Sequence, residues 1–382
     1  MEKNSIIKRA TMRAALAALA AVCLVLPIAC EDVPNLTRPS DWSKAARFPT
    51  GVYPTGALAA TPDGMVYIGA YDARIENRPL GVVYRYDGRE LEVFYQPPYE
   101  RCYVEDIKYV FDVLWVAGTK TENGDHQAYF AKYDGYEWNE IDVPDHVAES
   151  SFYNVAPISS DACWVRTWRA VYKYDGGAWQ KKLGFDTKSY KMGLAVSDRG
   201  VVFVPSDPRY YTTGWTVNVS DDDGATWHAE KVDFGDDRFR VYYYNYYPVT
   251  SVGETLYLTA QLKATTPLPY EESKAYLGII KREAAPAGCG RYELAFLSSP
   301  TTSPARDFRG LAFHDAGNGR AVGYYTSVAL EHGEWVTEEV DSFAMYRPVF
   351  TGITASYPFY WSILEDDAFS SRDSIFWLCR TR

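Results

Sequence analysis

The chain has 382 residues, of which 47% are hydrophobic and 23% charged, and its 39 basic and 50 acidic side chains give a net charge of −11. That acidic balance argues against a nucleic-acid partner, because neutralising a phosphate backbone needs basic surface. An aromatic content of 16%, 27 glycines and 21 prolines, with no long 3.6-residue apolar period, points away from helical and alternating α/β chains and predicts an all-β fold.

The first segment has the layout of an export signal. Lys3, Lys8, Arg9 and Arg13 precede an uncharged apolar run from Ala14 to Ile28, which is shorter than the roughly 20 residues a membrane-spanning helix needs. The run ends in Leu26-Pro27-Ile28-Ala29-Cys30, which resembles the lipobox of bacterial lipoproteins, with Pro27 where leucine is usual. The resemblance implies removal of residues 1–29, lipidation of Cys30, and residence in the bacterial cell envelope on its periplasmic or cell-surface side. Two or more acyl chains would anchor the protein stably, where one would not. Losing residues 1–29 takes four basic residues and one acidic one, so the net charge deepens from −11 to −14. Glu31 to Asp41, with Pro34 and Pro39 and few apolar residues, suits a flexible tether. The expected division is a signal peptide over 1–29, lipid attachment and tether over 30–41, and one domain over 42–382.

That domain is organised by a repeat. Tyr84-Arg85-Tyr86-Asp87-Gly88, Ala131-Lys132-Tyr133-Asp134-Gly135 and Tyr172-Lys173-Tyr174-Asp175-Gly176 are near-copies, and Trp138 and Trp179 follow the second and third. Each reads as a strand, an Asp-Gly turn with positive φ, and a new strand opened by a tryptophan that covers the turn. Ser220-Asp221-Asp222-Asp223-Gly224-Ala225-Thr226-Trp227 is a fourth copy, Glu331-His332-Gly333-Glu334-Trp335 a fifth, and Gly288-Cys289-Gly290-Arg291-Tyr292 a degraded sixth. The hairpin glycines at 88, 135, 176, 224, 290 and 333 lie 47, 41, 48, 66 and 43 residues apart, a period that suits four-stranded propeller blades. The widest interval contains Lys263 to Lys274, which reads as a loop insertion in the fifth blade.

The tail, Gly352 to Ser356, Phe359 to Leu364 and Ser374 to Cys379, supplies three strands and no fourth. Asp41 to Pro49 reads like the strand after each hairpin, such as Glu137 to Pro144, so an N-terminal strand completing the last blade would leave no unpaired seam. Seven blades are expected, with six and eight as alternatives. Cys102, Cys163, Cys289 and Cys379 admit up to two disulfides in three pairings, although Cys163 and Cys379 sit in apolar runs where a buried free thiol fits as well.

Residues 220–227 match in full the Asp-box of BNR-type propellers, S-x-D-x-G-x-T-W. The resemblance implies a structural element, in which Ser220 and Asp222 bond the turn, Gly224 permits it and Trp227 packs beneath. It also raises a sialidase reading. Sialidases need an arginine triad and an F-R-I-P start, and here Ala46-Arg47-Phe48-Pro49 lacks the leading aromatic, while nothing in the spacing of Arg166, Arg169, Arg209, Arg309 and Arg347 selects three. No catalytic set can therefore be assigned. The histidines, at 126, 146, 228, 314 and 332, show no metal-ligand spacing, and Asp221 to Asp223 lack the rest of an EF-hand pattern. No glycine-rich phosphate loop occurs, and no cofactor or metal is expected.

Tyrosine is the remaining signal, 32 in all, with clusters at 209–215 and 242–247. Strand alternation would send Tyr242, Tyr244 and Tyr246 between blades, leaving Tyr243 and Tyr247, with Arg209, Tyr210, Tyr211 and Trp215, as a candidate binding surface. The expected function is a non-enzymatic envelope propeller that recognises a protein or glycan, touching the membrane through its lipid alone and binding no nucleic acid. The alternative is a carbohydrate-active hydrolase or lyase with its site at the central channel.

Overall fold

The Asp-Gly phrases build hairpins. Asp87 Oδ1 accepts the N–H groups of Arg89 and Glu90, each at 2.8 Å, and Asp134 Oδ1 accepts those of Tyr136 and Glu137 at 2.9 and 3.0 Å. Gly88 and Gly135 complete these turns at φ 93° and 95°, a backbone conformation that costs glycine nothing. A computed structural model describes residues 37–39, 42–74, 80–99, 101–122, 124–148, 151–185, 193–206, 215–242, 248–265, 275–298, 308–323, 326–339, 349–366 and 375–381. The lipidation site Cys30 lies outside the described residues.

From Thr37 onward the chain forms seven sheets arranged as propeller blades, antiparallel but for one added strand, and the one helical segment among the described residues is the single turn Asp145–Ala148. Blade 1 holds β3 (Val52–Ala60), β4 (Val66–Asp72), β5 (Leu80–Tyr86) and β6 (Leu91–Tyr95), and blade 2 holds β7 (Arg101–Val110), β8 (Val113–Glu122), β9 (Asp125–Tyr133) and β10 (Trp138–Glu140). Blade 3 holds β11 (Asn154–Pro157), β12 (Ala162–Arg166), β13 (Ala170–Asp175) and β14 (Ala178–Gly184), and blade 4 holds β15 (Ala195–Val196), β16 (Val202–Pro205), β17 (Thr216–Ser220) and β18 (His228–Lys231). Blade 5 is built on β21 (Thr255–Ala264), β22 (Tyr276–Arg282) and β23 (Tyr292–Leu297). Two segments share the inner edge of its ten-residue β21: β20 (Val249–Val252) pairs its first half and β19 (Phe239–Tyr242) its second. Lys263, read as the start of a loop insertion, therefore lies in a strand, and residues 266–274 fall outside the described ones.

Second strands such as β12 and β16 are buried along their whole length, whereas the outer strand β6 is exposed or half-exposed throughout. A middle strand is covered on both faces by neighbouring blades, so it reads as a continuous apolar run, while the rim keeps its polar side chains. Where an outer strand opens with a tryptophan, the ring reaches back to the preceding blade. Trp138 stacks on Tyr95 at 3.9 Å, Trp179 donates its indole N–H to the Asp142 carbonyl at 2.9 Å, and Trp227 donates to the Lys182 carbonyl at 3.0 Å. These rings cover the flank of the previous sheet.

Blade 6 holds β24 (Phe308–Asp315), β25 (Asn318–Gly323), β26 (Thr326–Glu331) and β27 (Glu334–Glu339), and blade 7 holds β28 (Val349–Ser356), β29 (Phe359–Asp366) and β30 (Ile375–Thr381). The fourth strand of blade 7 is β2 (Ser43–Arg47), which pairs antiparallel with β30 from Ser43 opposite Arg380 to Arg47 opposite Trp377. Trp42 donates to Ser327 Oγ at 3.1 Å and sits 5.2 Å from the Phe350 ring, repeating between blades 7 and 6 what Trp138 and Trp179 do elsewhere. The ring is closed by its own N-terminal strand. Thr37–Pro39, in the stretch read as a tether, forms β1, a fifth strand parallel to β27.

A buried ion pair ties blade 4 to blade 5: the Arg282 guanidinium donates from Nε and Nη2 to the two Glu230 oxygens at 2.6 and 2.7 Å. Burial would raise the Glu230 carboxyl, but Arg282, the Tyr292 hydroxyl and the Gly290 N–H together hold it below the usual range. The four described cysteines are free thiols in blades 2, 3, 5 and 7, and all but Cys289 are buried. The expectation of up to two disulfides is corrected here, since each buried thiol is committed to its own blade's core.

Candidate functional site

The inner strands of the seven blades surround a central cavity of about 560 Å³. Glycines let these strands approach closely: a Cβ on Gly352 would overlap the Gly56 carbonyl oxygen, and one on Gly310 would lie 2.8 Å from the Ile353 nitrogen. Four charged side chains line the cavity, Glu105, Asp106, Lys108 and Arg309. Asp106 is occupied by architecture. A register shift between Val104 and Asp106 interrupts the pairing of β7 with β8, and the Asp106 carboxylate accepts the Val155 N–H of blade 3 at 2.9 Å and Lys108 Nζ at 3.0 Å. Asn154 Oδ1, also on the lining residues, is buried without a hydrogen-bond partner among the described residues.

Two faces flank this cavity. One carries the tight Asp-Gly turns, and the other carries the strand ends where the chain passes from blade to blade. At that second face, Tyr53 and Tyr71 are cross-strand partners in blade 1, their rings 5.9 Å apart and inclined at 66°, and Tyr71 stacks on Tyr103 of blade 2 at 5.9 Å and 22°. All three tyrosines are half-buried and Arg101 beside them is exposed. Burial and the Tyr103 neighbour raise the Tyr71 hydroxyl above its usual range, with Arg101 acting in the opposite sense. The Tyr71 hydroxyl thus stays protonated at neutral pH and can both donate and accept. Tyr53 and Tyr103 belong to the inner strands whose next residues, Pro54 and Glu105 among them, line the cavity.

A cation on the other flank of blade 1 is held in place. Arg74 donates to Asp72 Oδ1 from Nε at 2.9 Å and to Oδ2 from Nη2 at 2.6 Å, and Nη2 also reaches the Tyr84 hydroxyl at 2.9 Å. Burial would raise the Asp72 carboxyl, but Arg74 and Tyr84 keep it below its ordinary value. The Arg74 side chain remains 45% exposed, so a fixed positive charge faces solvent, with less rotamer freedom to lose on binding.

The residues expected from sequence distribute differently. Arg209, Tyr210, Tyr211, Tyr243 and Tyr247 lie outside the described residues, though the flanking Ser206, Trp215 and Pro248 belong to strand ends of this face. Trp215 is 3% exposed and donates its indole N–H to the Ser206 carbonyl at 3.0 Å within the core between blades 4 and 5. Its reading as binding surface is corrected: a large ring at the start of a middle strand is drawn into the inter-blade core.

In the 220–227 turn, Ser220 Oγ accepts the Gly224 N–H at 2.8 Å, and Asp222 accepts from the Thr226 N–H and hydroxyl at 2.9 and 2.6 Å. The Thr226 hydroxyl and N–H hold the exposed Asp222 carboxyl down at about 2. Gly224 lies against the Trp164 ring of blade 3, 2.7 Å from where a Cβ would sit.

Of the five arginines weighed as a carboxylate clamp, Arg309 lines the cavity, Arg166 is buried donating to the Gly193 and Pro205 carbonyls, and Arg169 is exposed. Arg209 and Arg347 lie outside the described residues. No group of three or more metal-ligating side chains occurs among the described residues. The tyrosine row was missed by sequence reading because its members come from three strands of two blades, with no shared motif.

No protein-family model and no curated protein sequence matches the chain. Solved structures do resemble it. YCF48 bound to a D1 peptide is 12% identical with a TM-score of 0.57, over 90% of this chain and 98% of that one. The β-propeller domain of Myceliophteria thermophila Cps50 (Swd1) is 9% identical with a TM-score of 0.55, over 89% and 100%. Chaetomium thermophilum Sqt1 bound to the N-terminus of the ribosomal protein L10 is 13% identical with a TM-score of 0.51, over 84% and 86%. At such identities the likeness establishes the β-propeller fold and nothing finer.

Proposed function

We propose that this chain is an exported, lipid-anchored envelope protein whose propeller binds a protein or glycan partner on the face where the chain passes between blades. The Tyr53–Tyr71–Tyr103 row carries the proposal. Tyrosine offers wide contact area and a hydrogen-bonding hydroxyl at low entropic cost, and here the rings stand half-exposed beside a cavity mouth and an exposed Arg101. Two of the similar propellers, YCF48 and Sqt1, are described with a peptide or protein segment bound, which supports a protein partner first. The channel's described carboxylates support hydrolysis less, since Asp106 is tied into the blade 2–3 junction.

Cross-linking in cells from a photoreactive residue at Arg101 would name the partner, and binding of the purified pair would then be compared between the parent and Tyr71→Ala/Tyr103→Ala chains. Loss of about tenfold or more in affinity at unchanged thermal stability is expected, since two contact aromatics each contribute roughly 1 kcal/mol or more. Equal affinities would overturn the assignment. Turnover of a glycan by the parent chain would favour the hydrolase alternative. Labelled-lipid incorporation that disappears in Cys30→Ala is expected from the anchor.

A further inference from the structure

We infer that the outer edge of blade 7 is a docking surface for an anionic lipid bilayer, so that the contact with the membrane extends beyond the lipid. The inference rests on the anchoring at Cys30 proposed above for its location, and on the closing strand for its chemistry.

The two outermost strands of blade 7, Ser43–Arg47 and Ile375–Thr381, contain Lys44, Arg47 and Arg380 and no acidic residue, in a chain whose net charge is −11 overall. The cations are placed over aromatic rings. Lys44 Nζ lies 4.3 Å from the Trp377 ring centre and the Arg47 guanidinium 5.9 Å from it, while Arg380 lies 5.1 Å from Phe359. Arg47 and Arg380 are exposed and form no ion pair among the described residues. At the end of the same blade, Tyr357 stands 81% exposed in the turn between β28 and β29. Basic side chains laid along a half-buried tryptophan and phenylalanine, with an exposed tyrosine at the same end, are the composition that settles at a headgroup boundary, where aromatics sit at the interface and cations meet anionic lipid.

Chain length brings this edge to the membrane. Six residues separate Cys30 from Thr37, and that stretch spans at most about 25 Å even when fully extended. Thr37–Pro39 then runs along the outer strand of blade 6, and Ser43–Arg47 follows as the edge of blade 7. The basic edge does not continue onto the neighbouring outer strand, because β27 of blade 6 exposes Glu334 there. A lipid chain combined with a basic patch gives firmer attachment than a lipid alone.

The test uses the chain from residue 30 with Cys30→Ala, which lacks any acyl group, and phosphatidylcholine vesicles with or without about one third phosphatidylglycerol. Cosedimentation should require the anionic lipid and weaken with salt. Lys44→Gln/Arg47→Gln/Arg380→Gln should lower partitioning on the order of a hundredfold, at roughly fivefold per basic side chain, while Arg89→Gln/Lys181→Gln/Arg199→Gln on other blades should change it little. Thermal unfolding of each chain verifies the fold. Binding that ignores phosphatidylglycerol, or an equal loss in both triple variants, would overturn the inference. The mass of the protein extracted from its own membrane reports lipidation at Cys30 separately, so a missing anchor and a missing surface are told apart.

Discussion

Trp42→Ala tests the closure of the ring directly. Trp42 is 4% exposed, sits 5.2 Å from the Phe350 ring and donates to Ser327 Oγ at 3.1 Å. Truncating a buried aromatic of this size costs about 3–5 kcal/mol. The Ser327 hydroxyl also donates to Glu338 at 2.6 Å, and Glu338 is the buried partner of Arg320, so the change reaches a charged network and the upper half of that range is expected. Trp42→Phe keeps most of the buried ring and loses mainly the hydrogen bond, which contributes about 1 kcal/mol. Urea unfolding would rank the parent above Trp42→Phe and that above Trp42→Ala. Amide exchange would locate the effect, because weakening a latch should open β2 and β30 together before the rest of the ring. Trp179→Ala, which loses comparable contacts in a blade continuous in sequence, should not show that selective opening. A cost below about 1 kcal/mol for Trp42→Ala, or exchange spread evenly over all blades, would refute the reasoning.

Further outcomes follow from the same geometry. Glu230 has a folded pKa below its ordinary 4.5, so its contribution to stability is full above that value and is lost as the pH falls through the lower folded value. Glu230→Gln should therefore flatten the acid limb of a stability–pH curve below about pH 4.5. Arg282→Met at neutral pH should cost about 3–5 kcal/mol by stranding a buried carboxylate, much of it recovered in the Glu230→Gln/Arg282→Met double variant, as read from urea midpoints. Gly352→Ala forces a methyl group onto the Gly56 carbonyl and should lower stability by about 1–3 kcal/mol, seen as a depressed thermal midpoint. Burial pushes the Cys102 and Cys379 thiols up to about 12 and raises Cys163 as well. In a chain beginning after Cys30, a thiol reagent at neutral pH should react with Cys289 alone until denaturant exposes the other three cysteines.

How much was legible from the residues depends on the range of the interaction. An Asp-Gly turn and the strands beside it are local, so Asp87-Gly88 and Asp134-Gly135 announce hairpins wherever they occur, and their spacing counts the blades. The similarity of Asp41–Pro49 to Glu137–Pro144 likewise reveals the closing strand, because both must lay a tryptophan against a preceding blade. The tyrosine row was not legible, since Tyr53, Tyr71 and Tyr103 meet only after a hairpin forms and two blades stack. Trp215 misled for the complementary reason, its aromatic neighbours suggesting a surface where the strand end turns inward.

The amino-acid order by itself determined the β-meander, its repetition and the segment that completes it, all of which rest on contacts between residues close in the chain or on copies of one pattern. Only the tertiary structure decided which charges are consumed in holding the ring and which remain outward. Asp106 and Glu230 look in sequence like any other carboxylates, yet neighbouring blades bury one against a backbone N–H and the other against a guanidinium. Lys44, Arg47 and Arg380, from opposite ends of the chain, come to share the outer edge of blade 7 through strand pairing across the closure, Lys44 and Arg47 on one face of the sheet and Arg380 on the other.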